Sequence, residues 1–400
     1  MDLTRLVSRA GRVPTGVDRV ELAYLRHLIG TQEPAFGLVR SSLGYVLVNG
    51  EGLSALLDRF EGRIPWGPPD LLSLSTRGKG VAVRQAESDL RRVCVARSLP
   101  SRVGKMLRRY LPQAVQYLNV GHSNLNDRTL WAMRHDLSAQ IVVLVHDVIP
   151  LDFPQYQRPG TPDVFRARLR RVQRFADRVI YNSAHTQERA EEHMRQWGAA
   201  PDAVIAPLGV EVAEPDPSEL PAGLDLSRPY FVTIGTIEPR KNHALLLDSW
   251  EQMEAQQGAD VPQLFICGSR GWNNAAVFAR LDALPDDSPI RELSGLSDPA
   301  MSALVAGARA MIFPSVAEGY GLPPIEAAAL GVPVICLDLP VYRETLGDIP
   351  VYLKETDSYL LTNMVQSLLE GPKAEQMRSS LGVMTPPRWE DHFRLALTSD

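Results

Sequence analysis

The chain has 400 residues, of which 44% are hydrophobic and 22% are charged, and its formal net charge is −5. This length is too great for one ordinary hydrophobic core and predicts two globular domains. No stretch approaches the roughly 18 consecutive apolar residues of a membrane-spanning helix, the first 16 residues lack the apolar core of a signal peptide, and the three cysteines form no CxxC pair, so we expect a cytoplasmic protein.

The first half of the chain alternates loosely between strand and helix patterns. Apolar runs predict strands over residues 1–8, 115–121, 141–147 and 176–183. A helix that begins near Val17 is predicted because one stripe carries Val17, Val20, Tyr24 and Leu28. Residues 51–112 show no clear pattern. Residues 204–229 are rich in proline, glycine and acids after one short strand, so the domain boundary is placed there.

Positive charge is concentrated in the first half. Residues 1–200 hold 29 Lys and Arg against 19 Asp and Glu, whereas residues 201–400 hold 13 against 28. Two helical stretches contribute: an amphipathic one over 101–113, and one over 165–178 with six arginines. Both are compatible with ordinary helices that have one buried face. The sharper hypothesis is peripheral contact of the N-terminal domain with the anionic inner face of a membrane; nucleic acid ranks last because no binding motif is present.

The second half alternates more clearly. Apolar runs predict strands over residues 229–236, 262–268, 310–315 and 332–338. Helices are predicted from about His243 to Gln257 and over Pro323–Leu330. This alternation favours parallel sheets covered on both faces, and two such halves predict a cleft in which ligands lie at the carboxyl ends of strands.

The segment GTIEPRKNH begins where the strand over 229–236 ends. Arg240 and Lys241 come just before a predicted helix, whose N-terminus already favours an anion. Two cations at this place could clamp a diphosphate. By spacing alone, two solvated loop charges are equally compatible with the pattern. The segment matches neither GxGxxG nor GxxxxGK[ST], which counts against a nicotinamide dehydrogenase and a P-loop NTPase.

The segment EGYGLPPIE places Glu318 in a loop and predicts Glu326 in the first turn of the helix that follows. Gly319 and Gly321 leave the loop backbone open to a ligand. Two carboxylates there are suitable acceptors for sugar hydroxyls. The alternatives are a surface loop acid at Glu318 and an acid that complements the helix dipole at Glu326.

EGYGLPPIE resembles the E-x7-E signature of the retaining glycosyltransferases of family 4. GTIEPRKNH is similar to the phosphate loop of that family, SGLSD (294–298) to its nucleobase loop, and HDVIPLDFPQY (146–156) to a further element. The resemblance implies an α/β protein of the GT-B fold, in which two Rossmann-like domains face a central cleft. The N-terminal acceptor domain would span 1–206, the linker 207–228 and the C-terminal nucleotide-sugar domain 229–385. A C-terminal helix within 386–400 would pack back toward the N-terminal domain.

The resemblance also implies roles on the donor side of the cleft. Arg240 and Lys241 would bind the donor phosphates, and Glu326 would bind the ribose hydroxyls. Glu318 would lie beside the donor sugar. Further donor contacts would come from Gly235 at the strand end, from the backbone of Leu296, from the amides of Tyr320, Gly321 and Leu322, and from Gly16 in a loop bordering the diphosphate. Many relatives have an arginine after the glycine of the phosphate loop, where this chain has Thr236.

His146 would orient the donor sugar from across the cleft, so Glu318, His146, Arg240 and Lys241 are the expected catalytic residues. A histidine satisfied at a strand end is the alternative for His146. Weaker acceptor-side candidates are Asp147, which could equally cap a loop, and His122 and Asn124 in GHSNL (121–125).

The resemblance therefore predicts a retaining hexosyltransferase of polysaccharide biosynthesis that acts on a glycan or lipid-linked saccharide. Mannose from GDP-mannose is the first expectation, because EPRKNH and HDVIPLDFP resemble bacterial polysaccharide mannosyltransferases. No Asp-x-Asp tripeptide is present, so we expect neither a metal nor another cofactor. The alternatives are another donor, such as UDP-glucose or nucleotide-activated rhamnose, and a non-catalytic glycan- or nucleotide-binding module on the same scaffold.

Overall fold

The strands form three sheets in the computed structural model, which describes residues 1–76, 78–369 and 384–397. The strands are β1 (Gly37–Ser41), β2 (Gly44–Val48), β3 (Ala96–Ser98), β4 (Gln116–Asn119), β5 (Gln140–Val145), β6 (Arg178–Tyr181), β7 (Asp202–Ile205), β8 (Tyr230–Ile234), β9 (Gln263–Cys267), β10 (Ile290–Leu293), β11 (Ala310–Phe313), β12 (Val334–Leu337) and β13 (Val351–Leu353). The first sheet is antiparallel in the order β1-β2-β3, and the other two are parallel, in the orders β4-β5-β6-β7 and β10-β9-β8-β11-β12-β13.

Helices cover the parallel sheets. They are α1 (Thr4–Ser8), α2 (Gly16–Gly30), α3 (Gly50–Phe60), α4 (Val81–Arg92), α5 (Val103–Tyr110), α6 (Asp127–Trp131), α7 (Ile149–Asp152), α8 (Thr161–Phe175), α9 (Ala184–Arg195), α10 (His243–Gln257), α11 (Ala275–Asp282), α12 (Asp298–Gly307), α13 (Leu322–Ala329), α14 (Pro340–Leu346), α15 (Ser358–Leu369) and a C-terminal helix (Trp389–Leu397).

The predicted first strand is wrong. Residues 1–3 do run between β1 and β4, since Asp2 N–H donates to Leu118 O (2.9 Å) and Leu3 N–H donates to Leu38 O (2.9 Å). The Asp2 carboxylate then accepts the N–H of Thr4 (3.0 Å), and the chain continues as helix α1. An aspartate side chain that accepts the main-chain N–H two residues further on forms a local turn, which competes with a longer strand.

The other strands predicted in the first half are confirmed as β4, β5 and β6. Helix α2 begins at Gly16, close to the predicted start, because Thr15 and Asp18 form a capping box. The antiparallel sheet β1-β2-β3 was not predicted. Its pairing joins residues near 45 to residues near 97, and no local pattern signals a contact between segments so far apart in sequence.

In the second half, the four predicted strands are confirmed as β8, β9, β11 and β12, and helix α10 has the predicted bounds. The short strands β10 and β13 were not predicted. Helix α13 begins at Leu322, after Gly321 adopts a left-handed φ of +87°, so Glu326 is its fifth residue. The prediction that Glu326 lies in the first turn is therefore wrong. Its carboxylate does not complement the free N–H groups of that turn, so the helix dipole does not explain an acid at this position.

The chain leaves the first parallel sheet at Ile205 and enters the second at Tyr230. The C-terminal helix lies against the N-terminal half of the molecule. There His392 Nε2 pairs with Tyr24 Oη at 2.8 Å, and the ring of Phe393 stacks on His27 with 3.9 Å between centroids. The N-terminal and C-terminal halves are therefore joined by packed aromatic side chains as well as by the connecting segment.

Helix α5, from the amphipathic stretch 101–113, packs on the protein itself. Val103, Met106 and Leu107 are buried in the core, whereas Tyr110 is 41% exposed. The apolar face of α5 is therefore already occupied, which supports the simpler of the two interpretations of this stretch. No helix in the described part of the chain is long and apolar enough to cross a membrane.

Candidate active site

The loop between β8 and α10 presents Lys241 to the cleft. Gly235 follows β8 with a φ of +141°, and a Cβ on Gly235 would lie 3.2 Å from Cε of Lys241. Glycine is favoured here because L side chains rarely adopt this φ, and a Cβ would also crowd the end of the lysine side chain. A short turn, Pro239–Lys241, then precedes helix α10, and the Lys241 Nζ lies 4.2 Å from the centroid of the Phe313 ring.

Arg240 and Lys241 share one carboxylate oxygen of Glu318. The Oε1 atom of Glu318 is 2.6 Å from Nζ of Lys241 and 2.7 Å from Nη1 of Arg240. Arg240 also pairs with Glu238 at 2.7 Å and donates to the carbonyl of Ala317 at 2.8 Å. The side chains of Glu318 and Lys241 are only 9% and 10% exposed, so these charges lie in a largely water-free environment.

The cations keep Glu318 ionised. Burial opposes ionisation, but the charges of Arg240 and Lys241 outweigh it and hold the pKa of Glu318 at about 2. Burial lowers the pKa of Lys241, and the Glu318 carboxylate counteracts that effect. Glu238 differs from Glu318, because burial raises its pKa. The two predicted cations and Glu318 thus form one cluster, which excludes the alternative of solvated surface charges.

The loop that carries Glu318 touches the end of β5 in the other half of the molecule. A Cβ on Gly319 would lie 2.4 Å from the carbonyl oxygen of His146 and 2.9 Å from Cβ of Asp147. Only glycine allows this approach. Asp147 accepts the N–H of Ile149 at 3.1 Å, so it caps its own loop, and burial raises its pKa. The backbones of His146 and Asp147 therefore meet the glutamate loop directly.

His146 and His122 are neutral histidines at neighbouring strand ends. The Nε2 of His146 lies 2.6 Å from Val120 O, and the Nε2 of His122 lies 2.8 Å from Leu144 O. Burial lowers the pKa of His146 to about 4 and that of His122 well below its usual range. A carbonyl only accepts, so Nε2–H donates in each ring and Nδ1 remains an acceptor.

Asn124 lies apart from this group. Its amide donates to the Asp2 carboxylate at 2.7 Å, and its Oδ1 accepts from Asn126 at 2.7 Å and from the Thr129 hydroxyl at 3.0 Å. These bonds commit the side chain to the polar network under the N-terminus. The structure therefore does not bring Asn124 to the charged cluster.

Glu326 is held by an arginine that the sequence analysis did not identify. Arg19 on helix α2 places Nη1 3.2 Å from Oε1 of Glu326 and also pairs with Asp298 at the start of α12. Burial raises the pKa of Glu326. One signal could have found this residue, since Arg19 lies three positions after Gly16 and the two therefore share a face of α2.

The remaining predicted donor-side residues lie at the starts of α2, α12 and α13. A Cβ on Gly16 would lie 3.2 Å from Cδ1 of Leu322, so the start of α2 faces the start of α13. Tyr320 donates its hydroxyl to the carbonyl of Leu208 at 3.0 Å, and Gly321 supplies the left-handed turn before α13. Leu296 is half-buried in the loop between β10 and α12.

A cavity of about 410 Å³ adjoins Glu326. Its lining includes Arg19, Glu326, Asp298, Leu322 and Trp389. Polar groups therefore converge at a space of the size that accommodates a small organic ligand. Together with the charged cluster at Glu318, the cleft offers cations for an anion and carboxylates for hydroxyl groups.

Two α/β halves with parallel sheets and a charged cleft between them define the GT-B fold of glycosyltransferases. Solved structures agree on the fold. Anabaena HepE in complex with UDP-glucose superposes with a TM-score of 0.59 over 96% of this chain and 93% of that chain, at 14% identity. The pneumococcal O-GlcNAc transferase GtfA, with UDP and GlcNAc, has a TM-score of 0.51 over 73% of this chain and 55% of that chain, at 15% identity.

Residues 221–381 match the Glycosyl transferases group 1 family. Among curated proteins, the serotype-specific mannosyltransferase WbdA of Escherichia coli is 34% identical over 219 residues, which are 50% of this chain and 26% of WbdA. The O-antigen chain mannosyltransferase B of Escherichia coli is 29% identical over 164 residues, 40% of this chain and 43% of that protein. The chain thus spans about a quarter of WbdA and less than half of the second relative.

Proposed function

We propose that the protein is a retaining hexosyltransferase that moves a sugar from a nucleotide sugar to a glycan or lipid-linked saccharide. The observation that carries the proposal is the buried cluster in which Arg240 and Lys241 share the Glu318 carboxylate. Two cations held at the end of a strand beside an interdomain cleft can receive a diphosphate. The group 1 domain and the two mannosyltransferases that resemble this chain support the same function.

In this proposal the donor diphosphate takes the place of Glu318 as the partner of Lys241. Negative charge builds on the departing diphosphate while the anomeric carbon becomes cationic. Cations placed in advance near the leaving group stabilise that charge, and removing one such donor typically slows the reaction by about a hundredfold or more. Glu318, released from Lys241, then accepts hydrogen bonds from hydroxyls of the donor sugar.

His146 acts from the opposite wall of the cleft. Its Nε2–H is bonded to the Val120 carbonyl at 2.6 Å, so Nδ1 is the atom that can accept a hydroxyl of the donor sugar. Glu326 binds the ribose hydroxyls, for which it must exchange its bond to Arg19. The acceptor attacks the face from which the diphosphate leaves, and a leaving-phosphate oxygen takes the acceptor proton, which retains the anomeric configuration.

Mannose from GDP-mannose is the proposed donor because both E. coli relatives are named mannosyltransferases. We propose that the reaction needs no metal or other cofactor, since the cations of the cluster can neutralise the diphosphate and the sequence has no Asp-x-Asp. The enzyme would act in the cytoplasm, where nucleotide sugars are made, and in contact with the inner face of the membrane when its acceptor is lipid-linked.

A nucleotide panel tests the proposal. GDP, UDP, ADP and dTDP are titrated by calorimetry into the wild-type protein and into the Lys241→Ala variant. We expect GDP to bind most tightly and Lys241→Ala to weaken that binding by about tenfold to a hundredfold, because it removes a charge-assisted hydrogen bond worth roughly 1.5–3 kcal/mol. Hydrolysis or transfer from GDP-mannose, measured with EDTA present, should be lost in Lys241→Ala and Glu318→Ala.

Lys105→Ala is the matched control, since Lys105 is an exposed lysine of helix α5 outside the cleft. It should bind every nucleotide as the wild type does. Preference for UDP would point to another donor, and tight binding without any transfer or hydrolysis would favour the non-catalytic binding module. Failure of all four nucleotides to bind would refute the proposed function.

A further inference from the structure

Helix α8 carries one arginine that lacks a partner. Within the described part of the chain, its other four arginines are each engaged: Arg166 with Asp163, Arg171 with Asp127, Arg170 over the Trp197 ring and Arg174 over the Phe175 ring. Among the same residues, the guanidinium of Arg168 has no ion pair, hydrogen bond or ring contact. Arg168 is nevertheless half-buried, whereas Arg166 and Arg170 are exposed.

Arg168 lies on the side of helix α8 that packs against His122. Phe165, three residues earlier on the same face of α8, lies 6.2 Å from the His122 ring between centroids, and that ring lies 5.2 Å from the His146 ring. Burial lowers the pKa of Arg168, and the positive charges of Arg5 and Arg171 lower it further. The guanidinium therefore lies among like charges and neutral rings.

The acids near this site do not neutralise Arg168. Asp18 is committed to Arg5 and Arg9, with 2.8 Å between charged atoms in each pair. Glu21 is 1% exposed, burial raises its pKa well above the usual range, and its nearest cation is Arg5, 3.9 Å away. A half-buried cation without a counter-ion among the described residues is less favourable than a paired one, and an anion from outside the chain would offset its charge.

The neighbours of this cation indicate which substrate would bring the anion. His146 lies beside Gly319, in the loop that holds Glu318, and the His122 ring lies between His146 and Phe165 of helix α8, which carries Arg168. The donor phosphates are already assigned to Arg240 and Lys241. An anion at Arg168 therefore belongs to the second substrate, the acceptor.

We propose that Arg168, with Arg5 beside it, binds a phosphate group carried by the acceptor. This inference rests on the proposed glycosyltransferase function. A phosphate is favoured over a carboxylate because it carries nearly two negative charges and can take paired N–H donors from a guanidinium. The phosphate can belong to a soluble sugar phosphate or to the phosphate that links a saccharide to a lipid.

The first test measures binding of inorganic phosphate by calorimetry with saturating GDP, which occupies the donor site. Wild-type protein is compared with Arg168→Gln and with Arg170→Gln, which makes the same charge change on the exposed side of α8. We expect Arg168→Gln to weaken phosphate binding about tenfold or more, and Arg170→Gln to bind as the wild type does. Equal phosphate binding by all three proteins, or no phosphate binding by the wild type, would overturn the inference.

The second test separates the two sources of phosphate. Mannose 1-phosphate is titrated in solution, and vesicles of phosphatidylcholine with and without phosphatidic acid are tested by co-sedimentation. Binding of mannose 1-phosphate that depends on Arg168 supports a soluble phosphate ester. Vesicle binding that depends on both phosphatidic acid and Arg168 supports a lipid-linked phosphate. Binding of either probe that is insensitive to Arg168→Gln counts against the site.

Nucleotide affinity keeps this inference separate from the proposed function. Arg168→Gln should bind GDP as the wild type does and keep its thermal midpoint, which shows that the variant is folded. If GDP binds and phosphate does not, only the acceptor-phosphate site is refuted. If GDP does not bind to the wild type, the glycosyltransferase proposal itself fails.

Discussion

Replacing Glu318 with glutamine should destabilise the protein strongly at neutral pH. Glutamine keeps the shape of the side chain but removes the charge that Arg240 and Lys241 share at 2.7 and 2.6 Å. Both cations then remain largely buried with less compensation, and breaking a buried pair in this way typically costs several kcal/mol. The variant therefore measures how much the cluster contributes to the fold in the absence of ligand.

The magnitude follows from the pKa of Glu318, which falls from its usual 4.5 to about 2. This shift corresponds to about 3 kcal/mol of stability in favour of the ionised carboxylate. Because the folded-state pKa is depressed, the contribution is fully present above about pH 4.5 and is lost as the pH falls toward 2. The difference in the free energy of unfolding between the wild type and Glu318→Gln should therefore be largest at pH 7 and should shrink below pH 4.5.

Urea unfolding followed by tryptophan fluorescence at several pH values measures this difference. Glu251→Gln is the control, because Glu251 also pairs with an arginine, Arg280 at 2.8 Å, but its side chain is 64% exposed. Glu251→Gln should lower the free energy of unfolding by less than about 1 kcal/mol at every pH. The reasoning would be refuted if Glu318→Gln lost no more unfolding free energy than the control, or if its loss grew as the pH fell.

Two further predictions concern the contacts between the halves. Arg19→Ala should tighten nucleotide binding several-fold in calorimetry, because Glu326 then has no ion pair to break before it binds the ribose. Weaker binding would mean that Arg19 itself contacts the nucleotide. Gly319→Ala should enlarge the radius of gyration in X-ray scattering and lower transferase activity, because the new Cβ would lie 2.4 Å from the carbonyl of His146. Gly30→Ala, where nothing lies within 4 Å of the added Cβ, should change neither quantity, and equal effects from both glycine variants would contradict the close-contact argument.

The parallel sheets were predictable because each strand carries its own local signal. Continuous apolar runs such as 262–268 and 332–338, separated by helical patterns, specify buried parallel strands without knowledge of their neighbours. The antiparallel sheet was not predictable, since β3 pairs with β2 across almost fifty intervening residues. The predicted strand over residues 1–8 failed because one side chain, Asp2, ends the extended segment by accepting the N–H of Thr4.

The candidate site shows the same division between local and tertiary information. The sequence placed Arg240, Lys241 and Glu318 after strands, where loops meet helix starts, but spacing alone left surface charges equally compatible. Only the folded chain shows that they form one cluster, because Lys241 and Glu318 are 77 positions apart in sequence and the pairing of β8 with β11 brings the two loops together.

By itself, the sequence determined most strands of the two parallel sheets, the division into two α/β halves and the loops that hold the charged residues, since all of these depend on local patterns. Only the tertiary structure decided which charges meet. It paired the Glu318 carboxylate with Arg240 and Lys241 and paired Glu326 with Arg19, and it left Arg168 without a counter-ion among the described residues. The physical reason is that the strength of an ion pair depends on distance and burial, which are set by the packing of segments far apart in the chain.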